Sequence, residues 1–207
     1  MLKAGPTARD KCHRRAAARG FTLIELLVSI TLLSLLLGLA MPSFGVWTRN
    51  AQVRSVAEGL QAGVRLAQAE ALRRNRQVVF FLTNNKACTA SIAATVDGPF
   101  WSIRTVPMIS GEAAEVVTCG QLADTSAGVA IDGVGAAMCF NSLGRQVANA
   151  ATGVTNGNCT LGTTDRNFDV ALTGADRRLR VSVSLGGRTR LCDIDRTLSS
   201  ANPDGCA

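Results

Sequence analysis

At 207 residues the chain has room for one modest domain beside a membrane helix, and 47% of it is hydrophobic. Its formal charge of +7 suggests a nucleic-acid binder, yet the first twenty positions carry +5 of it and the remainder only +2. The single histidine, His13, lies in that basic opening stretch, and no CxxC pair occurs further on, which excludes histidine chemistry and makes zinc a poor fit.

Lys3, Arg9, Lys11, Arg14, Arg15 and Arg19 precede an apolar run from Phe21 to Met41. Apart from glycine, only Thr22, Glu25, Ser29, Thr31 and Ser34 interrupt it. A helix of that length covers roughly 30 Å, the thickness of a hydrocarbon core. Basic residues crowd the N-terminal side, while only Arg49 and Arg54 follow closely. That bias predicts a single span with its N-terminus cytoplasmic and the rest of the chain across the membrane. No small-x-small cleavage site closes the run, so the span is expected to stay attached. Glu25 contradicts the pattern, because an ionised carboxylate at a bilayer centre costs about 2.5–3.5 kcal/mol. It needs a partner of opposite charge.

Gly20, Phe21 and Thr22-Leu23-Ile24-Glu25, leading straight into an apolar helix, resemble the shared motif of the type IV prepilins, which include pilins and the pseudopilins of type II secretion. The resemblance implies that prepilin peptidase cuts between Gly20 and Phe21 and that the new amine of Phe21 is methylated. It also implies that Glu25 recruits the subunit into a helical filament with other pilins or pseudopilins, attracted to the N-terminal amine of a neighbour. The expected organisation is a leader over 1–20, a transmembrane and assembly helix over 21–42, an amphipathic helix over 43–76 and a β-rich head over 77–207.

Pro42 is expected to end or kink the first helix, and Trp47 fits a headgroup-level anchor. From Trp47 to Arg76 a second helical pattern places Val53, Val56, Ala57, Leu60, Val64, Ala67 and Ala71 on one face. Arg54 with Glu58, and Glu70 with Arg74, are spaced to pair across one turn of the other face. The stretch Arg65–Phe80, together with Phe140–Gln146 and Ser184–Cys192, is similar to the GspH/FimT branch of pilin-like proteins. Short β runs follow at Gln77–Leu82, Phe100–Val106, Glu115–Cys119, Val129–Ile131, Ala137–Asn141, Phe168–Leu172, Leu179–Leu185 and Thr189–Ile194, separated by turn-forming clusters. Asn149 to Asn167 reads as a polar loop. The predicted fold class is α+β and pilin-like, a long N-terminal helix packed on an antiparallel β-sheet head.

Cys12 lies in the leader, and Cys88, Cys119, Cys139, Cys159, Cys192 and Cys206 remain. An even number in an exported domain reads as disulfides, with many connectivities open. Short loops close most easily, which favours sequence neighbours: Cys88 with Cys119, Cys139 with Cys159 and Cys192 with Cys206.

Arg177, Arg178, Arg180, Arg188 and Arg190 cluster with no acid among them. If the strands around them pair through the loop Leu185-Gly186-Gly187, then Arg180, Ser182, Ser184, Arg188 and Arg190 share one face, and Val181, Val183, Thr189 and Leu191 face the core. Gly187-Arg188-Thr189-Arg190 is similar to the Gly-Arg-x-Arg motif that FimT-type minor pilins use on DNA. The resemblance implies contacts from Arg188 and Arg190 to the phosphates of double-stranded DNA, with Arg178 and Arg180 as neighbours. A blander reading pairs these arginines with Asp193, Asp195 or an adjoining subunit. No aromatics are interleaved for base stacking, so single-strand selectivity is not expected. Nothing in the sequence points to an enzyme, a cofactor or a metal site. The expected product is a minor pilin of a type IV pilus-like filament, with a type II secretion pseudopilin H, or a DNA receptor for natural transformation, as alternatives.

Overall fold

The computed structural model describes residues 20–123, 127–133 and 135–206, and within the first helix the side chains of 39–43 lie outside that description. The basic leader, with Cys12 and His13, lies outside it too. The chain divides into two compact units, Met1–Met41 and Pro42–Ala207.

Helix α1 (Leu23–Arg74) begins in the first unit. Every large apolar side chain from Phe21 to Leu37 is exposed there. Such a helix, apolar all round, needs an apolar cover beyond its own fold. Among the described residues no helix is long and apolar enough to cross a membrane, and the expected span runs on into positions whose side chains are not described. Helix α1 continues through Pro42 as the long N-terminal helix expected, so of the two effects open to this proline, ending the helix does not occur. A proline removes one backbone bond and crowds the carbonyl four residues back. Long helical runs on either side outweigh that single defect, because adding to an existing helix is far cheaper than starting one.

In the second unit Val53, Val56, Ala57, Leu60, Val64, Ala67 and Ala71 are all fully buried, the apolar stripe read from the sequence. On the opposite face Arg54 pairs with Glu58 at 2.7 Å and Arg74 with Glu70 at 3.0 Å. The helix closes with Asn75 in the left-handed region (φ 50°) and the Arg76 N–H donating to the Ala71 carbonyl, a left-handed C-cap.

Among the described residues ten strands follow: β1 (Val78–Thr83), β2 (Phe100–Thr105), β3 (Val116–Gln121), β4 (Val129–Gly133), β5 (Ala137–Phe140), β6 (Gln146–Val147), β7 (Arg166–Leu172), β8 (Leu179–Val183), β9 (Thr189–Thr197) and β10 (Gly205–Cys206). They form two five-stranded sheets, ordered β3-β2-β1-β5-β6 and β10-β9-β8-β7-β4. All pairs are antiparallel except β10 with β9, which is parallel. The expected α+β fold, a long helix packed on an antiparallel head, is what the structure has, with the head divided between two sheets and one parallel edge pair. Both bury one face against the helix stripe: Phe80, Ile103, Met138 and Phe140 from the first, Phe168, Val170, Val181 and Val183 from the second.

Strand β1 is apolar on both faces, and the second face has its own core. Val79 and Phe81 pack with Ile92, Val106, Cys139, Val154 and Cys159, beneath the loops that follow β1 and β6. Disulfides Cys88–Cys119 and Cys139–Cys159 fasten those loops to the first sheet, and Cys192–Cys206 fastens the C-terminal residues to the second. The three bridges join sequence neighbours, with Cα–Cα separations of 5.8, 5.7 and 5.1 Å. Arg104, fully buried on β2, holds the first loop from inside. Its guanidinium donates to the carbonyls of Ala90 (2.6 Å), Thr89 (2.5 Å) and Ile92 (3.4 Å) and lies 5.0 Å from the centroid of Phe81.

Candidate functional site

The start of α1 is set by the residues of the motif themselves. Thr22 lies just before the helix, and its hydroxyl accepts from the Glu25 N–H at 3.3 Å while its carbonyl accepts from the Leu26 N–H at 3.2 Å. Thr22 is therefore the N-cap and Glu25 the third helical position, the spacing of a capping box. Phe21 and Leu26 occupy the positions of a hydrophobic staple. Gly20 and Phe21 precede the helix outside any regular element and are exposed. The sequence reading missed this capping role, although Thr-x-x-Glu before an apolar run was its signal. Glu25 is exposed, one turn in from the end.

The arginine face is built by the β8–β9 hairpin. Val183 pairs with Thr189, Ser182 with Arg190, Val181 with Leu191 and Arg180 with Cys192. Ser184 donates its N–H to the Arg188 carbonyl at 2.9 Å, and the Arg188 N–H donates to the Ser184 hydroxyl at 2.9 Å, which closes the loop Leu185-Gly186-Gly187. Val181 and Val183 are fully buried, while Thr189 and Leu191 are half-buried. On the other face Arg180, Ser182, Arg188 and Arg190 line a cavity of about 190 Å³ with Asp165, Asn167, Cys192 and Cys206. The first glycine of Gly-Arg-x-Arg has a structural cause. Gly187 has φ +93°, and a Cβ there would lie 2.1 Å from the Gly144 carbonyl oxygen. The Gln68 side chain, from α1, donates to the carbonyls of both Gly187 and Gly144 and so ties the turn to the helix.

Charge on this face is far less free than the sequence count suggests. Arg180 makes a two-pronged pair with Asp169 of β7 at 2.6 and 2.7 Å, and Arg178 pairs with Asp195 of β9 at 2.5 Å. The Arg178 hydrogen bonds hold the Asp195 carboxyl below its usual range, and Asp195 and Asp169 in turn raise Arg178 and Arg180. Arg177 reaches Asp193 and Asp204. Arg190 donates to the Gly205 carbonyl at 2.8 Å. Arg188 is exposed and, among the described residues, makes no ion pair. Asp193, a partner in the blander reading of the arginines, is buried at 2% exposure between Arg177 and Arg196. Among the described residues no cluster of acids, cysteines and histidines could hold a metal.

Two family models match the chain. The prokaryotic N-terminal methylation motif covers residues 15–41, and the family described as type II transport protein GspH covers residues 56–187. The chain belongs to the GspH family. The GspH match takes in the buried helix stripe from Val56 onward, both sheets up to the β8–β9 turn, and the first two disulfides; the methylation motif takes in the capped helix start. Two crystal structures of the type IV minor pilin FimU from Pseudomonas aeruginosa strain PAO1 are similar to this GspH-family chain at 23% identity. They cover 67% and 70% of it and 90% and 91% of FimU, with TM-scores of 0.44 and 0.48. A comparison with curated proteins finds no match. Arg188, Arg190 and the third disulfide lie just beyond the GspH match, which ends at Gly187.

Proposed function

We propose that this GspH-family chain is a non-catalytic minor subunit of a type IV pilus-like filament. Prepilin peptidase cuts it between Gly20 and Phe21 and methylates Phe21; a single span, 21–42, then holds it in the inner membrane with the head periplasmic. Glu25 draws it into the filament by pairing with the amine of a neighbouring subunit. The observation that carries this reading is the methylation motif at 15–41 coinciding with a capped helix start and an exposed apolar helix that has one acid. The family's description favours a second assignment, a pseudopilin of the type II secretion system. A deletion strain separates the two: loss of piliation and transformation supports the first, loss of exoprotein secretion the second.

Within the first reading the arginine turn contacts double-stranded DNA through phosphates. Arg188 is the foremost contact and Arg190 the second, while Arg178 and Arg180 are already engaged by carboxylates. Each phosphate neutralised contributes about −0.9 to the slope of log affinity against log salt, so Arg188 alone gives a slope near −1 and Arg188 with Arg190 one near −2. Replacing Arg188 and Arg190 together by alanine is expected to abolish duplex retention by the detergent-solubilised chain in a gel shift at low salt. Undiminished retention would remove the DNA reading and leave the filament reading standing.

A further inference from the structure

The disulfide-closed segment from Asp193 to Cys206 folds back beside the arginine face. Its last strand, β10, lies parallel along β9 and is fastened at several points. The Asp193 N–H donates to the Asp204 carbonyl at 2.7 Å, and the Leu198 N–H donates to the Cys206 carbonyl at 3.0 Å. Gly205 is packed so tightly that a Cβ would lie 2.6 Å from the Thr197 carbonyl carbon. Asp204 takes ion pairs from Arg177 and Arg196, at 3.8 and 3.3 Å. Cys192 is buried, and both half-cystines line the same cavity as Arg180, Arg188 and Arg190. From this strap the Gly205 carbonyl accepts a hydrogen bond from Arg190 Nη2 at 2.8 Å.

We propose that the Cys192–Cys206 strap is an internal competitor for the arginine face: the Gly205 carbonyl occupies Arg190 where a nucleic-acid phosphate would bind, so releasing the strap raises the freely offered arginines from one to two. The inference rests on the DNA reading above and adds its regulation. A carbonyl is a good acceptor but a neutral one, so a phosphate gains more from the same guanidinium once the carbonyl moves away. The part that leaves lies beyond β9, so Arg180 and Arg178 keep Asp169 on β7 and Asp195 on β9, and Arg177 and Arg196 lose Asp204 but keep Asp193 on β9. The strap therefore tunes one contact rather than the whole face.

The test uses the full chain in detergent and a random-sequence DNA duplex, with binding followed by fluorescence anisotropy across a salt series. The parent is expected to show a slope near −1 from Arg188 alone, and the Cys192→Ser/Cys206→Ser chain a slope near −2, with several-fold tighter binding at low salt. Hydrogen exchange at the Asp193 and Leu198 amides reports whether the strap has opened. If those amides stay protected, a chain ending at Ser199 and carrying Cys192→Ser removes the strap outright. Adding Arg190→Ala to the opened chain should return the slope to the parent value. A parent that binds and an opened chain with the same slope, or an increase that survives Arg190→Ala, overturns the strap proposal and spares the DNA reading. No binding by either chain overturns both.

Discussion

Replacing Glu25 by alanine is expected to leave cleavage after Gly20 intact and to reduce the chain's presence in sheared filaments by about 100-fold or more. The sign is informative because alanine is the better membrane residue. An ionised carboxylate at a bilayer centre costs about 2.5–3.5 kcal/mol, so if insertion were the only demand, the substitution would help. Removing one partner of a buried charge pair costs about 3–5 kcal/mol, and each 1.4 kcal/mol is a factor of ten in an equilibrium. Loss of the neighbour's attraction therefore dominates. Glu25 also stands at the third helical position, where an acid contributes about 0.3–1 kcal/mol to the helix end. Glu25→Gln separates the two roles: it keeps a polar side chain beside the Thr22 cap and removes the charge. Glutamine should fail as alanine does. Quantitative immunoblotting of sheared filaments against whole-cell membranes reads both, and full incorporation of the glutamine variant would show that capping, not charge, is what the position supplies.

The second large effect is in the head. Arg104→Ala should destabilise it by about 3 kcal/mol or more, because three carbonyls lose a charged donor and a fully buried side chain leaves a void. Among the described residues no acid pairs with this arginine; burial pushes its pKa down, and its charge is met by carbonyls and the Phe81 ring. Arg104→Met fills the same space without a charge to desolvate and should cost clearly less. It should nevertheless free the loop around Lys86, making it the first site of proteolytic nicking while the sheets stay folded. Denaturant unfolding followed by tryptophan fluorescence gives the stability order, and timed proteolysis gives the loop. If Met and Ala variants unfold alike and resist nicking alike, Arg104 acts through its charge on the core and not as a tether.

These two sites differ in how far the sequence alone discloses them. Glu25 stands out because one acid interrupts a long apolar run, and the helix stripe from Val53 to Ala71 follows its period residue by residue. Eight strands were visible as β-branched or aromatic runs. Strands β6 and β10 were not, since two residues carry no alternation; β6 is held by Gln146 donating to the Val183 and Ser184 carbonyls, and β10 by a disulfide. Nor does any local pattern say that the strands divide between two sheets, because strand neighbours are chosen by long-range packing. The arginine face shows the same limit. Five arginines without an intervening acid read as a basic patch along the chain, but the register sets Asp169 across from Arg180 and brings Asp195 back to Arg178. Charge counted along a sequence is not charge on a surface. Buried Arg104 and Arg166 were missed for the converse reason: each sits on a strand among residues of ordinary polarity, and only the fold puts a loop or a carbonyl over it.

The central claim is that a chain with one acid in an apolar helix becomes a filament subunit once a new amine is made at Phe21. Mass spectrometry of the N-terminal peptide, from membranes of cells with active prepilin peptidase, tests it most directly. The account predicts a chain beginning at N-methylated Phe21, and the uncut form only when the peptidase is deleted. A chain that still carries residues 1–20 in peptidase-competent cells would contradict it.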